Sequence, residues 1–301
     1  MKKFLKKLLI FALVFFVVDK LFYVLIYLSP HFQTDPRIEM MLNGKINKDI
    51  IVLGSSRGAM NIIASQIEKE TGQSAYNIAF PGSDVEFHDF ILKTLLKYNT
   101  KPKTIIFAID EPSQFLPSTS ITFRRDKLYP LVKYSYINQV LIDKGDRNFT
   151  SWFMCLSRLN KSNFKLIKKI SPTETVQQCG SMPVDFVNPK FKPIYRNEVQ
   201  PYDVNEELSS KRNAFFSIIN QCKKNNINLV ITFSPNFSTP SQHFEDRIKS
   251  LAPNSNFFIY DTTKSVYKNK SYFYDESHLN KKGAAIFTSE VSAFLNQMSK
   301  K

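Results

Sequence analysis

The apolar positions in the first third of the chain follow two alternating periods. Three short apolar runs, at 49–53, 75–80 and 104–109, are typical of strands that are buried on both faces of a parallel sheet. Between these runs, apolar residues recur every three or four positions at 60–67 and 87–95, which predicts helices. The order therefore predicts a β-α-β-α-β unit with right-handed crossovers.

The alternation is lost between 111 and 200 and then resumes. The intervening stretch is rich in proline and aromatic residues, and such a stretch within an α/β chain predicts an inserted cap. The predicted fold class is therefore α/β, a parallel sheet flanked by helices and carrying this insertion. The later predicted elements are a helix at 206–224, a strand at 228–233, a helix at 241–251, a strand at 257–260 and a helix at 280–298.

The N-terminus combines a basic tip with a long apolar run. Four lysines precede a run of 21 almost wholly apolar residues, and about 20 residues span a bilayer. We predict an uncleaved signal anchor, with the N-terminus cytoplasmic and the rest of the chain outside the cell membrane. A cleaved signal peptide is the alternative, but no A-x-A-like site follows the run. The predicted parts are the tip and anchor at 1–28, a linker at 29–47 and an ectodomain at 48–298.

Asp19 and Lys20 interrupt the apolar run near its middle. A charge at the bilayer centre costs about 2.5–3.5 kcal/mol on insertion scales. One interpretation is a polar contact with a membrane partner, and the other is a tilted helix whose charges snorkel to water. A buried core helix is a third interpretation, which the lysine-rich flank disfavours.

The charge of the chain first suggests nucleic acid as a partner. The 301 residues include 41 basic and 26 acidic side chains, a net charge of +15. However, residues 111–200 hold 14 basic and seven acidic side chains, and an exported domain has little access to DNA. We therefore expect no nucleic acid and favour anionic envelope polymers or lipid headgroups, with a plain solvated basic surface as the alternative.

A serine and a histidine–aspartate pair are the candidate chemical groups. Ser56 follows the first predicted strand, where it can be a nucleophile if a base is near, or simply an N-cap. Asp275 and His278 lie three residues apart before the last predicted helix, so the carboxylate can orient the imidazole. The backbone N–H groups of Ser56 and Gly82 can hold an oxyanion, although the segment around Gly82 also reads as a turn before a capping box at 83–86.

These motifs resemble the SGNH (GDSL-type) hydrolase family. Gly54-Ser55-Ser56 matches its first block, Asn77 and Gly82 match the second with Ala79 in place of a glycine, and Asp275 and His278 match the last. The resemblance covers 48–110 and 205–298 and implies a flavodoxin-like fold with Ser56, His278 and Asp275 as a catalytic triad. The form G-S-S-R is most similar to the DltD-like branch, which implies acyl transfer on a cell-envelope glycan or anionic polymer beside a membrane-bound O-acyltransferase partner.

The chain departs from the family pattern at two positions. The usual aspartate of the first block is Ser55, and the third block, at 110–114, lacks its asparagine. Losing one oxyanion donor costs about 10²–10³ in rate. Asn236 is the candidate replacement, with a turn residue as the alternative reading. Arg57 is a candidate for binding an anionic substrate group or a solvated charge, and Asn77 a candidate substrate contact.

Other chemistries find less support in the sequence. Gly54 to Gly58 also fits the G-x-S-x-G elbow of α/β-hydrolases, but that elbow follows several strands rather than the first. The four histidines lack metal-ligand spacing, and we expect neither a metal nor another cofactor. Cys155, Cys179 and Cys222 form no C-x-x-C pair, and spacing cannot establish a Cys155–Cys179 disulfide.

The sequence thus predicts a serine O-acyltransferase or esterase of the cell envelope. Ser56 would carry the acyl group, His278 would move its proton and Asp275 would fix the histidine tautomer. A simple carbohydrate esterase is the enzymatic alternative. A catalytically silent scaffold that binds envelope polymer or a membrane partner is the other.

Overall fold

The computed structural model describes residues 1–109, 111–168, 175–186, 190, 194–199 and 201–300. The chain divides into two units. We call Met1–Glu39 with Arg124–Ile170 the N-terminal unit, and Met40–Phe123 with Ser171–Lys301 the sheet unit. The predicted insertion at 111–200 is therefore divided between them, while the predicted boundaries at 28 and 47 stay predictions.

The sheet unit is built on five parallel strands within the described residues. Their order is β2-β1-β3-β4-β5, the 2-1-3-4-5 order of flavodoxin-like folds, so the predicted fold class is confirmed. Pairing is in register from Ile50↔Thr104 to Gly54↔Ala108, with both strands wholly buried. The strands are β1 (Ile50–Gly54), β2 (Ala75–Asn77), β3 (Thr104–Ala108), β4 (Asn228–Phe233) and β5 (Asn256–Ile259).

Helices cover both faces of this sheet. Val52 and Ile106 belong to a cluster with Phe287 and Val291 on one face, while Phe107 packs against Phe215 on the other. Successive side chains of a strand point to opposite faces of the sheet. A strand that is apolar at every position therefore presents apolar side chains to the helices on both faces. The helices are α4 (Ser56–Asn61), α5 (Ala64–Thr71), α6 (Val85–Tyr98), α8 (Ser209–Lys224), α9 (Gln242–Leu251) and α10 (Lys281–Met298).

Two local predictions need correction. The helix predicted at 60–67 is two helices, because Ile62 and Ile63 both have extended backbone. The predicted capping box at 83–86 is also wrong: Asp84 is the N-cap of α6, and its carboxylate accepts the N–H of Phe87 at 3.0 Å.

The N-terminal unit begins with the long apolar stretch. Lys2–Phe32, 31 residues, is long and apolar enough to cross a membrane, which suits a membrane anchor or a signal sequence. The stretch consists of α1 (Lys2–Leu21), α2 (Tyr23–Leu28) and a 3-10 turn (Ser29–Phe32). The unit also contains α7 (Ser135–Asp143) and short 3-10 turns, and α3 (Arg37–Leu42) leads from it into the sheet unit.

Candidate active site

Ser56 lies where β1 passes into α4. Ser55 has extended backbone at the N-cap position, so Ser56 is the first residue of the helix. Gly54 ends the strand at φ +149°, and a Cβ there would lie 2.6 Å from the carbonyl oxygen of Ala108. Glycine is needed at this crossing because any side chain would strike β3. Ser56 is thereby placed beyond the carboxyl end of the strand, where α/β sheets form their sites.

His278 and Asp275 lie on the loop that precedes α10. Asp275 Oδ1 accepts the backbone N–H groups of Ser277 at 2.8 Å and His278 at 2.9 Å, so the loop folds onto its own carboxylate. The imidazole adds a third contact, since Nδ1 of His278 lies 2.8 and 3.0 Å from the two carboxylate oxygens. Asn280 then caps α10 by accepting two backbone N–H groups of its first turn. Asp275 therefore orients the imidazole directly, while Asn280 fixes the point at which the loop passes into α10.

Ser56 and His278 are in hydrogen-bond contact although 222 residues separate them, with Oγ 2.7 Å from Nε2. Because a carboxylate only accepts hydrogen bonds, Nδ1 carries the proton and Nε2 offers its lone pair to the serine hydroxyl. Partial burial raises the pKa of Asp275, but the hydrogen bonds from His278 and the loop amides lower it further, below its usual range. Asp275 is thus a carboxylate at neutral pH, and the three groups can move a proton from serine to histidine.

Arg57 also contacts the loop that contains His278. Its guanidinium is buried, and Nε donates to the carbonyl oxygen of Ser277 at 3.1 Å. Nη2 lies 3.5 Å from a carboxylate oxygen of Glu111. The sequence offered substrate binding or a solvated charge for Arg57, and the structure instead gives it partners within the protein.

Asn61 is a site residue that sequence reasoning missed. It lies four positions after Arg57, on the same face of α4, and its side chain is fully buried. Oδ1 accepts the N–H of Leu279 at 3.0 Å, next to the histidine. The i, i+4 spacing of two polar residues behind the serine was the available signal.

Asn77 needs a correction as a predicted substrate contact. Its side chain is 0% exposed, and Nδ2 donates to the carbonyl oxygens of Gly58 at 2.8 Å and Ile62 at 2.9 Å. Oδ1 accepts the N–H of Ala79 at 2.9 Å. Asn77 therefore ties the end of β2 to the backbone of α4 and cannot reach a substrate.

Gly82 lies on a turn that is bound to the end of β1. The N–H of Phe80 donates to the carbonyl oxygen of Gly54 at 2.9 Å, and Gly82 has φ +70°, which favours glycine. Ser83 Oγ lies 2.6 Å from the Phe80 carbonyl oxygen and 2.8 Å from Nε2 of His88. Burial lowers the pKa of His88 to about 3, so this neutral ring donates to Ser83, which donates onward to the turn. The turn that contains Gly82, the predicted oxyanion donor, is thus held by hydrogen bonds to β1 and to α6.

Asn236 lies on a cavity that adjoins the histidine loop. The cavity has a volume of about 270 Å³, and its wall includes Arg57, Ser277 and the half-buried Asn236. In the described chain no hydrogen bond joins the Asn236 side chain to Ser56 or Gly82. Its role as the replacement oxyanion donor stays a prediction.

The wall of this cavity is more acidic than basic. Among the residues that the structure describes, it contains four glutamates and two arginines, and the Arg196–Glu276 ion pair, at 2.5 Å, lies on it. The positive charge that the sequence assigns to the insertion is therefore not gathered here.

Groups of potential metal ligands and the cysteines are the remaining candidates for chemistry. Among the described residues, no group of three or more His, Cys, Asp or Glu is arranged to hold a metal ion. The three cysteines, at 155, 179 and 222, are free thiols.

Comparisons with known proteins do not assign this chain to a family. No protein-family model matches it, and no curated protein matches it. Among solved structures, it is similar to the crystal structure of a Bacteroides fragilis protein described as a candidate acylhydrolase, with 11% identity and a TM-score of 0.40. The similarity covers 88% of this chain and 95% of that one. At this level of similarity the neighbour identifies neither the catalytic residues nor the substrate of this chain.

Proposed function

We propose that this protein is a membrane-anchored, extracytoplasmic serine acyltransferase or esterase of the SGNH type that acts on a cell-envelope polymer. The observation that carries the proposal is the 2.7 Å contact between Ser56 Oγ and His278 Nε2, with Asp275 holding Nδ1 on the far side of the ring. A serine hydroxyl is a weak nucleophile until a base takes its proton, and this arrangement supplies that base.

The first half of the reaction loads the serine. Ser56 Oγ attacks the acyl carbon of an ester while its proton passes to Nε2 of His278. The carbonyl oxygen becomes an oxyanion, which the N–H groups of Ser56 and Gly82 receive. The intermediate collapses, the bond to the leaving alkoxide breaks, and His278 gives the alcohol its proton. The acyl group then remains on Ser56.

The second half removes the acyl group by the same steps. His278 takes a proton from an acceptor hydroxyl, whose oxygen attacks the acyl carbon. The acyl–serine bond breaks, and the proton returns to Ser56. Esterase and transferase differ only in whether water or a sugar hydroxyl reaches the acyl-enzyme.

The cavity adjoins the site through Arg57 and Ser277 without being lined by Ser56 or His278, and its wall favours a neutral, hydroxyl-rich acceptor over an anionic polymer. Within the described part of the chain, four glutamates and two arginines lie on its wall, and Arg57 and Arg196 already contact Glu111 and Glu276. A phosphate-rich chain would meet repulsion there, whereas sugar hydroxyls can donate to the carboxylates. We therefore propose an envelope glycan as acceptor, and a membrane-bound O-acyltransferase as the partner that supplies acyl groups.

The test is acyl labelling of the full-length chain in detergent. 4-Nitrophenyl acetate should release nitrophenolate and leave an acetyl group on Ser56, detected by mass spectrometry of the peptide. Ser56→Ala should lose the label, and Ser55→Ala, the matched control one residue away, should keep it. An unlabelled wild-type chain would leave the silent scaffold as the better reading.

A second measurement separates transferase from esterase. The labelled chain is transferred to buffer alone, to a soluble chito-oligosaccharide or to polyglycerol phosphate. Loss of the acetyl group only with the oligosaccharide, with acetylated sugar as product, supports transfer to a glycan. Rapid loss in buffer supports a carbohydrate esterase, and loss only with polyglycerol phosphate contradicts the acceptor proposed from the cavity.

A further inference from the structure

The excess positive charge of the insertion belongs to the N-terminal unit. Residues 124–168 contain ten basic and three acidic side chains. The rest of the insertion, 111–123 and 169–200, contains four of each. The net positive charge of the insertion therefore lies in the unit that contains the apolar helix α1.

Large apolar side chains are exposed among these basic residues. Phe149 and Phe153 are 71% and 73% exposed, and the only tryptophan of the chain, Trp152, is 41% exposed. A water-facing segment of a soluble domain rarely carries so many such side chains together. The further exposed apolar residues of this stretch are Leu156, Phe164, Leu166 and Ile167.

The stretch is fastened to α1 through Asp19 and Lys20. The buried carboxylate of Asp19 accepts the N–H groups of Cys155 at 3.0 Å and Leu156 at 2.9 Å. Lys20 Nζ donates to Asp19 at 3.0 Å and to the carbonyl oxygen of Phe153 at 2.6 Å. The charges that interrupt the apolar run thus have partners inside the chain, which is the condition for irregular backbone to lie near lipid.

A second tie lies further along the apolar stretch. Asn163 Nδ2 donates to Ser29 Oγ at 3.2 Å, and Lys133 lies over the ring of Tyr27 at 5.5 Å from its centroid. Residues from two parts of the insertion therefore contact the segment between Asp19 and Ser29. Asp19, Ile26 and Ser29 are buried there, whereas most of the other large apolar side chains of the segment are exposed, like those of α1 before it.

We propose that residues 149–168 form a lipid-facing platform that sits in the outer surface of the bilayer around the end of α1. Phe149, Trp152 and Phe153 enter the interfacial layer, and the basic side chains of the stretch contact anionic lipid headgroups. Lipid is favoured over a second copy or a soluble polymer because the platform is continuous with the exposed apolar surface of α1. Aromatic residues with flanking lysine and arginine are the side chains that membrane interfaces select.

Geometry limits where the bilayer can end. α1 has 20 residues, which at 1.5 Å per residue makes it about 30 Å long, the thickness of a hydrocarbon core, provided that the four lysines of its first two turns extend their ammonium groups to the inner headgroups. The outer boundary then falls near Asp19 and Lys20, where the platform is attached. The inference rests on the anchored position in the proposed function and is independent of the reaction.

The single tryptophan provides the test. The full-length chain is reconstituted into phosphatidylcholine–phosphatidylglycerol vesicles, with or without bromine on the acyl chains, and flotation establishes insertion. We expect brominated lipid to quench Trp152 emission and aqueous iodide to leave it largely unquenched. Lys161→Glu with Lys165→Glu, both exposed positions, should reduce the bromine quenching and increase that by iodide.

The outcomes separate the platform from the anchor and from the enzyme. A chain that floats while iodide, but not bromine, quenches Trp152 overturns the platform alone. A blue-shifted emission that neither quencher reaches indicates burial against a second copy and also overturns it. A chain that does not float removes the anchor and the platform together, while acetyl labelling of Ser56 tests the enzyme separately.

Discussion

The loops at Asp275 and at Asp19 contain the same arrangement of hydrogen bonds, but only the loop at Asp275 belongs to the candidate active site. Each carboxylate accepts the N–H groups of two consecutive residues, Ser277 and His278 in one loop, Cys155 and Leu156 in the other. The difference lies in the third partner. Asp275 contacts an imidazole whose second nitrogen faces the hydroxyl of Ser56, while Asp19 contacts the ammonium group of Lys20, which has no such second nitrogen. We call a carboxylate that accepts two consecutive backbone N–H groups a clasp. The clasp stabilises both loops, and the side chain that is its third partner determines whether the loop can also take part in a reaction.

Replacing Asp275 by asparagine should have the largest effect. The amide would donate to Nδ1 and move the proton of His278 to Nε2, which could then no longer accept from Ser56. We expect acylation by 4-nitrophenyl acetate to fall about 10⁴-fold. Asp246→Asn, the same substitution at an exposed carboxylate of α9, is the control and should stay near the wild-type rate. A Asp275→Asn rate within tenfold of wild type would show that the clasp is only structural.

Replacing Asp19 by asparagine should weaken the other clasp without touching the reaction. Hydrogen bonds to a charged acceptor contribute about 1.5–3 kcal/mol, and Lys20 would lose its counter-charge. We expect faster hydrogen exchange at the amides of Cys155 and Leu156, with acylation of Ser56 unchanged. Asp143→Asn, an exposed carboxylate of α7, should leave the exchange as it was. Unchanged exchange in Asp19→Asn would mean that other contacts hold the loop.

Arg57→Lys should have a smaller effect on the rate. Lysine keeps the charge but lacks the Nε–H that holds the Ser277 carbonyl oxygen, so the histidine loop loses one support. We expect kcat for the ester to fall about tenfold with little change in KM, since misplacement of a base costs rate rather than affinity. Lys282→Gln, an exposed charge on α10, is the control. A rise in KM alone would instead return Arg57 to the role of substrate contact.

The smallest expected effect is a dependence of stability on pH. The pKa of Asp275 is lowered in the folded chain, so its contribution is present above the unfolded pKa, about 3.9, and is lost as the pH falls through the folded value. Urea unfolding should find wild type more stable than Asp275→Asn at pH 6, with the difference shrinking toward pH 3. A difference that grows as the pH falls would contradict this sign.

The sequence predicts the fold well because its information there is local. Apolar runs such as 104–109 and the helical spacing in 280–298 need only their own neighbours to be recognised, and the described strands and helices follow them closely. The motifs of Ser56, Asp275 and His278 were also visible, because Ser56 directly follows a predicted strand and Asp275 lies three residues before His278. Their roles as a triad stay a prediction that labelling must test.

What the sequence could not supply was the partner of each polar residue. Nothing local distinguishes Asn77, whose amide is buried among carbonyl oxygens, from an asparagine that faces substrate. Asp84 takes the cap that Ser83 was expected to make because Ser83 is engaged by His88, a contact set by the packing of α6. The charge of 111–200 was counted correctly, but its location depends on how the insertion is divided between the two units.

The clasp at Asp19 also bears on the order in which the chain is made. Synthesis starts at the N-terminus, so Asp19 leaves the ribosome long before its amide partners, which lie 136 and 137 residues later. Lys20 is its neighbour from the start and can neutralise it during that interval. A nascent apolar segment can therefore carry Asp19 with its counter-charge beside it, and the N–H groups of Cys155 and Leu156 add to that pair, which is kept at 3.0 Å in the folded chain.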